Sequence, residues 1–161
     1  MTPREQPWSD DAPELGRVVV LTRNPIAEAI ATIAGTAGRE VVVVEQDGGG
    51  AGLAEITGLP LRAGDAVVLC DHDAPDAPDV LRAACASEAS YVAMMASRRR
   101  SQGLMDELRE EGAAGVEKLH VPAGLNTGGK SPGEIALSVV AEIVAESYGR
   151  HGGPMRGDLS S

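Results

Sequence analysis

Five short apolar runs punctuate the chain: Val18–Leu21, Val41–Val44, Ala66–Cys70, Tyr91–Met95 and Lys118–Val121. The first four are continuous rather than alternating, and rich in valine. Such runs predict strands buried on both faces, as in a parallel sheet. Each run is followed by a stretch of different periodicity. Asn24 and Pro25 read as the N-cap and first residue of a helix, with Ile26, Ala29, Ile30 and Ile33 on one face and Gly35 and Gly38 at its end. Gly48–Gly50 reads as a loop, and residues 53–61 as a weak segment holding a short helix. Residues 78–86 read as a helix capped by Asp76. Residues 97–111 form another, with Leu104 and Leu108 facing inward. Ser131-Pro132-Gly133-Glu134 is a capping-box signature opening a last helix to about Tyr148.

Strands alternating with helices predict an α/β, doubly wound, Rossmann-like fold. Its mostly parallel five-stranded sheet would have helices on both faces and the expected order 3-2-1-4-5. Residues 1–16 and 149–161 lack periodicity and read as flexible tails around one domain, 17–148.

Composition narrows the class. A chain of 161 residues fits a single domain. Aromatics are 2% with no Phe, so the core must be aliphatic, and an aromatic platform for single strands is absent. A net charge of −10 argues against nucleic acid and anionic membranes as partners, so any anionic ligand needs a local basic cluster. Two cysteines, Cys70 and Cys85, are too few for a disulfide framework. No signal peptide is read ahead of the first strand and no apolar run approaches a membrane span, so the expected compartment is the cytoplasm.

In this architecture chemistry sits on loops at the carboxyl ends of the strands. The first loop, Thr22-Arg23-Asn24-Pro25-Ile26-Ala27, occupies the place of a dinucleotide fingerprint but carries no glycine. That argues against NAD(P), although Glu45 lies where a ribose-binding acid would. The second, Cys70-Asp71-His72-Asp73, holds metal-ligand residue types. Consecutive positions rarely converge on one ion, so no metal is expected there. His72 stands as a proton carrier without a paired nucleophile. The third, Ser97-Arg98-Arg99-Arg100, concentrates positive charge at a helix start, and the expected order places it beside the first strand. The fourth, residues 124–131, matches a phosphate-loop pattern in letters. Pro132 deletes a backbone donor, so it reads instead as a glycine-rich loop entering a capped helix.

Taken together, Asp71-His72-Asp73, the run from Tyr91 through Ser97-Arg98-Arg99-Arg100, the Leu119-to-Gly128 run, and Ser131-Pro132-Gly133-Glu134-Ile135-Ala136 with Ser138 and Ala141-Glu142-Ile143 resemble the C-terminal Rossmann domain of the XdhC/CoxI family. The resemblance spans roughly Val18 to Val144. It implies an accessory factor rather than an enzyme: one that binds molybdenum cofactor and supports its sulfuration or insertion into a molybdenum hydroxylase of the xanthine or carbon monoxide dehydrogenase type. Implied partners are the apoenzyme, or a separate protein supplying the N-terminal XdhC/CoxI domain that family members usually carry. A homodimer is a further expectation. The expected binding residues are Arg23, Asn24, Glu45, Asp71, His72, Ser97, Arg98, Arg99, Gly124 and Asn126. Two other classes compete: an NAD(P)-binding oxidoreductase, and a degenerate Rossmann module used for dimerisation or docking.

Overall fold

The computed structural model describes residues 15–45, 53–71 and 73–156. The elements run β1 (Val18–Leu21), α1 (Pro25–Thr36), β2 (Val41–Val44), α2 (Leu53–Gly58), β3 (Ala66–Leu69), α3 (Ala77–Ala86), β4 (Tyr91–Met94), α4 (Arg98–Glu110), β5 (Leu119–His120) and α5 (Pro132–Ser147). A 3₁₀ turn at Val116–Lys118 leads into β5. All pairings are parallel, so the expected fold class is the one observed.

The strand order is 2-1-3-4-5, which differs from the expected 3-2-1-4-5 at one point. The chain leaves β2, crosses back over β1 and inserts β3 on the other side, rather than adding β3 beyond β2. β2 and β3 are equally apolar in sequence, so apolarity does not choose between them. The buried pairing of Asp65 with Arg17 holds the start of β3 beside β1. All four residues of β3 are then buried, whereas β2 is left at the edge with Val41–Val43 only partly buried.

Alternate strand residues feed two separate cores. Val18, Val20, Ala66, Val68, Tyr91 and Ala93 point to α1 and α5. Val19, Leu21, Val67, Leu69, Val92 and Met94 point to the face covered by α2, α3 and α4. The buried stripe of α1 is Ala27, Ile30 and Ala34, rotated from the expected isoleucine stripe, so small residues let α1 pack closely against α5. Asn24 and Ser131 cap as expected, and the capping box at Ser131 and Glu134 is complete. Asp76 holds the N-cap position of α3, but its side chain does not cap.

A polar knot ties the amino ends of β1 and β3. Asp65 is 1% exposed. It accepts from the Arg17 amide (2.9 Å), the Arg17 guanidinium (2.6 Å) and the Arg62 amide (2.9 Å). Gly16 lies so close to Gly64 that a Cβ would sit 2.2 Å from its carbonyl carbon. Burial alone would raise the Asp65 pKa, but the Arg17 and backbone hydrogen bonds outweigh it and hold the carboxyl below its usual value. Removing one partner of a buried pair strands the other, so Asp65→Ala should lower stability by about 3–5 kcal/mol in urea denaturation. The sign with pH follows from the lowered folded-state pKa. Asp65's stabilisation is complete above the ordinary carboxylate value of about 4 and is lost as pH falls through the folded value. Asp65→Asn should therefore flatten the acid limb of the stability profile.

Candidate functional site

The expected binding residues fall at two separate places on the carboxyl ends of the strands, because β3 stands between β1 and β4.

The first crevice lies between β1 and β3, where the strand order reverses. Asn24 closes it. Its Oδ1 accepts from the Ala27 amide (2.9 Å) and its Nδ2 donates to the Cys70 carbonyl (3.1 Å). One side chain thus caps α1 and bridges the two loops. Arg23 is engaged by Glu45, the expected ribose acid, and lies 3.5 Å from Glu28. Asp71 accepts from the Asp73 amide (2.9 Å) in a local turn. Burial pushes the Cys70 thiol up to about 12, so it stays protonated in the core. His72 lies outside the described residues. No cluster of His, Cys, Asp and Glu suited to a metal ion occurs among the described residues. Thr22 takes a left-handed backbone (φ +73°), and its buried hydroxyl has no hydrogen-bond partner.

The second crevice is a cleft of about 660 Å³ between α4 and the loop joining β5 to α5. Arg98, Ser101, Gln102 and Met105 line one wall at successive helical turns. Gly124, Leu125, Asn126 and Lys130 line the other, and Met95, Ile135 and Ser138 form much of the floor. The loop begins at a cis Val121–Pro122 bond. Gly124 is obligatory here: its φ is +100°, and a Cβ would lie 2.5 Å from Ser138 Oγ. Leu125 donates to the Ser138 carbonyl (3.2 Å). Among the described residues two cations, Arg98 and Lys130, and no carboxylate line this cleft, in a chain of net charge −10. By contrast Arg100, in the same basic run, pairs with Asp73 at 3.3 Å. Arg99 is exposed on the first turn of α4 and does not line the cleft.

Backbone donors at the helix starts are largely engaged by the chain's own caps. Ser97 Oγ accepts from the Arg100 amide (3.2 Å), and so is a cap. Glu134 accepts from both the Lys130 and Ser131 amides (3.1 Å each), which spends the donors a phosphate loop would present. An anion in the cleft would therefore rest on side chains.

Of the expected residues, Arg98, Gly124 and Asn126 meet in the cleft, while Arg23, Asn24, Glu45 and Asp71 gather at the β1–β3 crevice. Sequence reading expected Ser97–Arg100 beside β1; the inserted β3 moves this turn one strand further away. It missed Gln102, Met105 and Lys130. The helical spacing of 98, 101, 102 and 105 marks that face of α4, and Lys130 was visible in the glycine-rich run.

Residues 18–143 match the XdhC Rossmann domain family, and the chain belongs to that family. It is 41% identical over 68 residues to an uncharacterized protein of Escherichia coli (strain K12), YqeB. That stretch is 41% of this chain and 13% of YqeB. Its fold is similar to a crystal structure of a xanthine dehydrogenase from Bacillus halodurans, with TM-score 0.69 and 18% identity over 84% of this chain and 44% of that one. The chain therefore spans less than half the length of either relative.

Thr22→Gly should stabilise the fold by about 1 kcal/mol or more. It removes left-handed strain and an unsatisfied hydroxyl, each costing about 1–3 kcal/mol, against about 0.5–1 kcal/mol for glycine's extra entropy. Urea denaturation of the variant beside the parent chain measures it.

Proposed function

We propose, from membership of the XdhC family, that this chain is an accessory protein whose α4–loop cleft holds molybdenum cofactor for a molybdenum hydroxylase. The cofactor is cargo, a pterin with a phosphate and a dithiolene-bound metal, and the chain itself catalyses nothing. Its recipient would be a hydroxylase apoenzyme. A separate protein carrying the family's N-terminal XdhC/CoxI domain would be a further partner, and a homodimer is a separate arrangement that the proposal allows.

One observation supports this most: among the described residues the cleft carries Arg98 and Lys130 and no carboxylate. The phosphate is the end these cations would take, Arg98 as a fork and Lys130 as a point charge. Met95, Met105, Leu125 and Ile135 supply apolar surface for a flat ring, and Gln102 and Asn126 supply amides for its polar edge. A volume of about 660 Å³ suits a ligand of that size. The metal would keep its dithiolene ligands, since the described residues offer no cluster to replace them. The β1–β3 crevice favours this reading over a dinucleotide enzyme. In the loop where a dinucleotide fingerprint would carry glycine, Asn24 bonds the Cys70 carbonyl, and Glu45 is engaged by Arg23.

Thermal unfolding with added molybdenum cofactor, NADPH or ATP tests the reading. Cofactor at about 100 times its dissociation constant should stabilise the protein by about 2.7 kcal/mol. Arg98→Ala and Lys130→Ala should each weaken binding by about 10- to 100-fold, the worth of a charge-assisted hydrogen bond. Stabilisation by NADPH but not by the cofactor would sink the proposal, as would unchanged affinity in both variants.

A further inference from the structure

Behind the cleft loop lies a cluster that the binding reading does not use. Tyr91 on β4, His120 on β5 and Glu142 on α5 meet where the loop leaves the sheet. One oxygen, Glu142 Oε1, accepts from the Tyr91 hydroxyl (2.5 Å) and from the Gly124 amide (3.1 Å). The His120 ring stacks on Tyr91 with centroids 4.5 Å apart, and its Nδ1 stands 3.6 Å from the same oxygen. Its Nε2 is 4.0 Å from Glu146. Burial, and then the neighbouring Glu142 charge, raise the Tyr91 pKa, so the phenol stays a donor.

We infer that Glu142 is a positioning residue for the cleft: it fixes the wall at Gly124 and so sets where Asn126 and Lys130 stand relative to Arg98. Gly124 cannot be held by a side chain of its own. Ser138 leaves no room for one, and the left-handed backbone needs an external restraint. The restraint comes from α5 twice, through the Ser138 carbonyl on Leu125 and the Glu142 carboxylate on Gly124. Tyr91 and His120 in turn locate the carboxylate: one bonds it, and the other walls it off. Tyr91 is 2% exposed and belongs to the α1–α5 core, so it is immobile, and the loop inherits that rigidity. Cleft shape is thereby tied to the core rather than to the loop's own sequence.

The effect on affinity rests on the binding reading above; the restraint on the loop does not. Two measurements separate them. In Glu142→Ala, amide hydrogen exchange at Gly124 should quicken by about tenfold or more, as loss of its acceptor predicts, while β1 amides keep the parent rate. Glu142→Gln keeps an acceptor oxygen and should restore slow exchange at Gly124. Affinity for molybdenum cofactor should fall by about tenfold in Glu142→Ala and recover in Glu142→Gln. Unchanged Gly124 exchange in Glu142→Ala overturns the inference. So does a quickening shared equally by β1, which would mean general loss of stability, and so does failure of Glu142→Gln to rescue. If the parent chain binds no cofactor, the binding reading falls while the exchange data still decide the role of Glu142.

Discussion

The arrangement depends on strands that are apolar on both faces. In β1, β3 and β4 every residue is buried, and alternate side chains feed two cores that never merge. A sheet so constituted must be covered on both sides, which places α1 and α5 on one face and α2, α3 and α4 on the other. It also leaves little polar chemistry on the strand faces, Tyr91 and His120 beside Glu142 being the exception. Most side chains that carry charge or hydrogen-bonding function emerge at the ends, and in a parallel sheet all the strand-to-helix loops emerge at the same end. With no Phe and few aromatics, the packing uses Val, Leu, Ile, Ala and Met, and close helix approach relies on alanines such as Ala27 and Ala34. One face has a polar anchor at the opposite edge, where Asp65 joins the starts of β1 and β3.

The local parts of this fold were legible in the sequence. The Asn24 and Ser131 caps, the position of Pro at helix starts and the boundaries of most elements follow from interactions within a few residues. Strand order is a different kind of information. It depends on which apolar run takes a central place, and the described part of the stretch between β2 and β3 carries one six-residue helix that fixes no direction by itself. The sequence does hold a trace: β3 is flanked by Asp65, whose buried pairing with Arg17 requires β3 to begin beside β1. Charge pattern alone could not reveal that link, because Arg17 and Asp65 are 48 residues apart.

That single exchange of neighbours explains the divided site. With β4 beside β1, the basic turn and the first loop would have faced one crevice. With β3 between them, Asn24 bridges to the Cys70 carbonyl in one crevice, and Arg98 looks across a second at Gly124 and Asn126. Cleft residues on one helix face were recoverable from spacing. The cluster of Tyr91, His120 and Glu142 was not, since its members come from three elements and converge through tertiary packing.

Electrostatics then distinguishes the two crevices. Exposed charges more than about 8 Å apart are largely screened at physiological salt, so the overall −10 does not decide what either crevice accepts. Local composition does. At β1–β3, Glu45 and Glu28 compete for Arg23; an incoming anion would have to displace a carboxylate already in place. In the cleft, no carboxylate among the described residues lines the space beside Arg98 and Lys130, so an anion there gains their charge without displacing one. Because the chain's own caps engage the Arg100, Lys130 and Ser131 amides, that gain must come chiefly from flexible side chains. Flexible cations discriminate poorly unless the opposite wall is fixed. Rigidity at Gly124, supplied from α5, is therefore what would turn a basic cleft into a selective one.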